Sequence, residues 1–135
     1  MFIKRNSLRY SIKAKGTFKS ESGDPKVFGG DVLDLGHLGW SIFIKESVEV
    51  NTVVQFDLSA DFLAQHLIGK GKIVYVTPQK KTNITGYRIG VEFIEVNKNI
   101  VMMFINENIR IINEERKRVE AEKRRQLGST GEYPF

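Results

Sequence analysis

Between Tyr10 and Val96, apolar and polar side chains alternate with a period of two, the pattern of half-buried strands rather than helices. Trp40, Ile42 and Ile44 fall on one face of one such stretch, and Tyr87, Ile89, Val91 and Phe93 on one face of another. Six stretches recur, at residues 10–18, 27–35, 40–45, 50–58, 67–76 and 87–96. The separators at 20–25, 36–39 and 77–86 are rich in residues that accept tight turns. Residues 62–67 permit a helical turn in place of strand. This spacing predicts a mainly β chain, an antiparallel barrel or sandwich.

After Asn97 the period changes. Ile100, Met103, Phe104, Ile111 and Ile112 recur at helical spacing, and Val101, Ile105 and Ile109 widen the stripe. From Asn113 to Gln126 only Val119 and Ala121 are apolar. Glu114 with Arg118 and Glu120 with Arg124 are helix-favouring pairs. Gly128 is a natural stop. A helix over 98–127 is expected, about 45 Å long at ~1.5 Å per residue. Its first half would cover the barrel and its second half project. Val101, Phe104, Ile105, Asn108, Ile111 and Ile112 also form a short imperfect seam, which leaves self-association through this helix open. The organisation expected is a basic arm at 1–9, a barrel at 10–97, a helix at 98–127 and a flexible tail at 128–135.

Composition narrows the function. A chain of 135 residues with 41% hydrophobic and 27% charged positions has the make-up of one globular domain. Cysteine is absent and histidines number two, which leaves no disulfide framework, thiolate nucleophile or histidine–cysteine metal cluster. The longest apolar run, residues 100–105, is far below the ~20 residues of a membrane span. Lys4 and Arg5 follow Met1 to Ile3 at once, so a cytoplasmic location is expected. No hydrolase elbow, phosphate-binding P-loop or zinc-protease motif is present, so a binding protein without metal or cofactor is expected rather than an enzyme.

The net charge of +5 is unevenly placed. Lys4, Arg5, Arg9, Lys13, Lys15 and Lys19 fall within the first twenty residues with no acid among them. Such an arm suits an anionic partner or is simply a solvated basic surface. Arg5 and Arg9 stand four apart, and guanidinium groups recognise phosphate oxygens or the O6/N7 edge of guanine. Asp34-Leu35-Gly36-His37-Leu38-Gly39 ends one strand and begins the next. Asp34 there either accepts from the N1–H and N2–H₂ of a guanine or bonds its own turn backbone. Trp40 is core or a base-stacking platform; His37 and Arg88 are further candidates for ligand contact.

Arg5-Asn6-Ser7-Leu8-Arg9 followed by Asp34-Leu35-Gly36-His37-Leu38-Gly39 resembles the paired signature of the PilZ domain family, Arg-x-x-x-Arg and then Asp/Asn-x-Ser-x-x-Gly. The resemblance covers about residues 4–105. It implies a six-stranded antiparallel β-barrel closed by a C-terminal helix, and cyclic di-GMP as ligand. By position it implies that Arg5 and Arg9 grip phosphates and a guanine Hoogsteen edge, Asp34 takes the Watson–Crick edge, and Gly39 allows close approach. Gly36 departs from the pattern, where the family has serine; the lost hydroxyl is worth about 0.5–3 kcal/mol, depending on whether its partner is charged. A receptor that regulates an effector protein in a motility, polysaccharide or pilus pathway is implied. The alternatives are a degenerate interaction module and a barrel that binds single-stranded nucleic acid.

Overall fold

The structure, a computed structural model, describes residues 8–23 and 26–130, the last five by their backbone. Six strands precede one helix: β1 (Arg9–Ser20), β2 (Val27–Gly36), β3 (Gly39–Ile44), β4 (Val53–Ala60), β5 (Leu63–Lys81), β6 (Ile84–Val96) and α1 (Lys98–Thr130). Every pairing is antiparallel, and the strands close in the order β1-β2-β3-β6-β5-β4, with β4 returning to β1. The alternating pattern therefore closes a barrel rather than a sandwich, and closure leaves the ladder without a free edge at its centre.

The inward faces meet around Trp40, which has no exposed surface. Its ring packs at 5.3 Å from Phe56 and edge-on at 6.4 Å from Phe18, within the range where aromatic pairs add to area burial. β3 is buried along both faces, which is why it reads as more apolar than its neighbours.

α1 closes one end of this core. Asn97 caps it, its Oδ1 accepting from the backbone N–H of Asn99 (2.9 Å) and Ile100 (3.3 Å). Val101, Phe104 and Ile105 are buried, and Phe104 meets Phe62 at 6.1 Å. Asn108, which interrupts the apolar seam in the sequence, is 6% exposed and donates from Nδ2 to the Ser11 carbonyl at 2.9 Å. The seam thus packs on its own barrel from Val101 to Asn108, while Ile112 at its end is exposed. From Asn113 to Arg125 every side chain is exposed, so the second half projects as the pattern predicts. Glu114 pairs with Arg110 at 2.7 Å rather than with Arg118. Gly128 does not end the helix, which runs on to Thr130.

Three expectations need correction. Residues 77–86 are not a loop: the β5–β6 ladder continues from Thr77 opposite Arg88 to Lys81 opposite Ile84. The turn is only Thr82 and Asn83, with Thr82 at φ 57°. Pro78 hid this extension. Proline is tolerated there because β5 pairs with β4 only as far as Lys72, so no neighbour asks for its missing N–H. Residues 62–67 form no helical turn, since pairing of Leu63 with Ala60 starts β5 directly after the bend. The fourth strand starts at Val53, not Val50, because Asn51 takes a left-handed φ of 74°.

Candidate functional site

Asp34 is the centre of a polar cluster on the outside of the barrel. Its neighbours Val32 and Leu35 are core residues, and register shifts in both the β1–β2 and β2–β3 ladders lie beside it. Such bulges re-aim side chains near functional sites. The residue is 8% exposed, yet its carboxylate is well supplied with donors. Arg9 Nη1 lies 3.0 Å from Oδ1, Ser41 Oγ donates to Oδ1 at 2.9 Å, and Arg88 Nη2 reaches Oδ2 at 2.5 Å. Charge-assisted bonds to a carboxylate this enclosed are stronger than exposed ion pairs.

Each donor comes from a different strand. Arg9 begins β1, Ser41 stands directly opposite Asp34 on β3, and Arg88 projects from β6. Arg88 is itself anchored, its Nε donating to Tyr75 Oη at 3.1 Å. Burial works against its charge, but the bonds with Tyr75 and Asp34 outweigh it and hold the guanidinium pKa above its ordinary value. The Tyr75 ring lies over Gly90, where a Cβ would fall 2.1 Å from Cε2.

The structure brings Arg9, Asp34 and Arg88 together although Arg88 belongs to neither sequence motif. Arg5 lies outside the described residues. Arg9, assigned by the sequence to the basic arm at 1–9, is the first residue of β1, and its side chain is only 16% exposed. His37 is exposed at the β2–β3 bend, and the Leu38 carbonyl there accepts from Phe93 N–H at 2.9 Å. Trp40 faces the core with no exposed surface, so its ring is not a base-stacking platform. Gly39 is needed for packing, since a Cβ would sit 2.2 Å from the Val91 carbonyl oxygen. Ser41 was not among the sequence candidates. A two-residue bend at His37–Leu38 places it opposite Asp34 by counting alone, and that is the signal that could have found it.

A second charged cluster lies one step along the same surface. Lys15 and Lys81 both pair with Asp31, Lys81 at 3.1 Å. Those two bonds, Lys15 first, lower the Asp31 pKa below its ordinary value. An open cleft of about 610 Å³ adjoins it, lined by Phe28, Gly30, Phe43, Lys45 and Lys81 among others. Phe43 pairs in register with Arg88, and directly paired residues share a face. The cleft and the Asp34 cluster are therefore neighbours. Among the described residues no group of histidine, cysteine and carboxylate side chains is placed to hold a metal, and no helix is long and apolar enough to cross a membrane.

Comparison with known proteins agrees with this fold. The family model of the PilZ domain matches residues 3–106. No curated protein matches the sequence. Among solved structures, the chain is similar to the PilZ domain of YcgR from Escherichia coli with c-di-GMP, at 12% identity and a TM-score of 0.67, covering 87% of this chain and 98% of that one. It is also similar to the inhibitor of motility MotI/DgrA from Bacillus subtilis (8% identity, TM-score 0.65) and to YcgR in complex with c-di-GMP (15%, 0.64). It covers 85% and 89% of its own length in these two matches, and 54% and 50% of the other chains.

Proposed function

The chain belongs to the PilZ domain family, and we propose that it is a cyclic di-GMP receptor that reads the ligand at Asp34 and passes the binding event to an effector protein. The observation that carries this reading is the meeting of Arg9 and Asp34, 25 residues apart in sequence and 3.0 Å apart in space. A carboxylate can accept from the N1–H and N2–H₂ of guanine, and guanidinium groups supply bidentate contacts to phosphate or to O6/N7. Arg88 adds a second positive group that is fixed in place by Tyr75. Lys45 and Lys81 in the adjoining cleft offer further cations to a dianionic dinucleotide. Solved relatives that carry c-di-GMP support the ligand assignment.

The role proposed is binding rather than catalysis: the Asp34 carboxylate is committed to two guanidinium groups, and the Ser41 hydroxyl that donates to it is wholly buried. Arg5 is proposed as the second half of the arginine motif. Gly36 and Gly39 form the backbone of the turn beside the ligand, with His37 at its exposed tip. The projecting half of α1 is proposed as the surface that an effector reads.

Calorimetric titration with cyclic di-GMP tests the reading. Wild type should bind, and Arg9→Ala and Asp34→Ala should each lose about 10–100-fold in affinity, the worth of one charge-assisted hydrogen bond. A folded wild type that produces no heat at high ligand concentration defeats the proposal. Salt-sensitive binding to a single-stranded oligonucleotide, unchanged in Asp34→Ala, would favour the nucleic-acid reading instead.

A further inference from the structure

Gly36 is where the chain departs from its family signature, and the structure gives that departure a second consequence. Gly36 stands opposite Arg9 in the β1–β2 ladder. A Cβ at this position would lie 2.6 Å from the Leu8 carbonyl oxygen and 3.4 Å from Arg9 Cδ. The first distance is a clash with backbone, which cannot rotate away as a side chain does. The backbone at Gly36 is not left-handed, so space alone is at issue. With serine or alanine at 36, Leu8 and Arg9 would have to move off β2.

We infer that Gly36 is a positioning residue: by lacking a side chain it seats the start of β1 against β2, so that in the ligand-free chain Arg9 fills the hydrogen-bonding face of Asp34 that a guanine would use. This rests on the receptor reading above. A guanidinium offers a carboxylate a planar set of N–H donors, and the N1–H/N2–H₂ edge of guanine offers the same. Asp34 Oδ1 already takes Ser41 and Arg9, and Oδ2 takes Arg88. Guanine therefore enters by exchange with Arg9, and the displaced guanidinium becomes available to the ligand's phosphate. The glycine does more than delete a hydroxyl. It stabilises a closed, self-occupied site, and the apparent affinity falls with the fraction of molecules that are open.

Hydrogen exchange and ligand association separate this from a simple lost contact. In Gly36→Ala and Gly36→Ser, amides 8–11 of the ligand-free protein should exchange about tenfold faster or more, because the Cβ is common to both. Stopped-flow association of a fluorescent cyclic di-GMP analogue should be about three- to tenfold faster in Gly36→Ala than in wild type. Asp34→Asn keeps the space at 36 but weakens the hold on Arg9, so it should loosen the same amides; it serves if the position-36 variants do not fold by circular dichroism. Unchanged exchange in a folded Gly36→Ala variant overturns the seating. Faster exchange without faster association overturns the self-occupancy. Tighter binding in Gly36→Ser alone, with alanine like wild type in both measurements, assigns the effect to the hydroxyl and also overturns the inference. If the wild type binds no ligand, the receptor reading fails and the self-occupancy with it, while the exchange data still decide the seating.

Discussion

Asn108 on α1 bonds the backbone carbonyl of Ser11, and Ser11 stands directly opposite Asp34 in the β1–β2 ladder. One side chain thus joins the helix to the strand that carries Arg9, across 97 positions of sequence. The Asn108 side of the bond is buried, while Ser11 stands on an exposed position of β1.

Asn108→Ala is expected to remove this bond at a cost of about 0.5–1.5 kcal/mol, because Ser11 is exposed and its carbonyl can turn to water. For a domain of this size that lowers the melting temperature by several degrees, by about 3–6 °C per kcal/mol. Thermal unfolding followed by circular dichroism checks it. Asn113→Ala, on the exposed half of the helix, should move the midpoint little.

Tyr75→Phe removes the acceptor for Arg88 Nε while keeping the ring over Gly90. Arg88 stays on Asp34 but loses its second anchor. Cyclic di-GMP affinity should fall about two- to tenfold, from about 0.5–1.5 kcal/mol. Calorimetry read beside an unchanged core, monitored by near-ultraviolet circular dichroism, distinguishes this from general destabilisation.

Asp31 gives a pH dependence with a defined sign. Its folded pKa is lowered, by the bond from Lys15 first and then that from Lys81. Its contribution to stability is therefore fully present above the ordinary carboxylate value of 3.8 and is lost as pH falls through the lower folded value. Asp31→Asn should be less stable than wild type at neutral pH, and the gap should close in strong acid. Melting temperatures of both proteins from pH 7 down to pH 2 test it; a gap constant across that range contradicts the ion-pair account.

Trp40 is the one tryptophan and lies wholly inside the barrel, its Nε1 without a hydrogen-bond partner among the described residues. Its emission should be blue-shifted, resistant to acrylamide, and barely altered by cyclic di-GMP. Trp40→Ala should cost about 3–5 kcal/mol. Trp40→Phe should cost much less, because it also removes an unpaired buried donor.

The number of strands and their places along the chain were legible because each half-buried strand writes its own alternation into the sequence. The outer half of the β5–β6 hairpin was not, since Thr77, Pro78 and Lys80 face water and no apolar alternation marks the strand there. Arg9 and Asp34 were legible as a spaced pair of residue types. Arg88 was visible only as a stray cation, because its role depends on β6 lying next to β3, a closure that no local pattern encodes. Ser41 looked like an ordinary polar position in an alternating strand; only the register across the His37–Leu38 bend gives its hydroxyl a purpose.

The helix extends 33 residues, about 50 Å, and is held to the barrel only near its root. Under the receptor reading proposed above, it would serve as a lever with its fulcrum close to Asn108. A tilt of about 10° there would carry the far end, some 30 Å away, through about 5 Å. On that reading, a small adjustment beside Asp34, carried through the Asn108–Ser11 bond, would be magnified into a displacement that a second molecule would register.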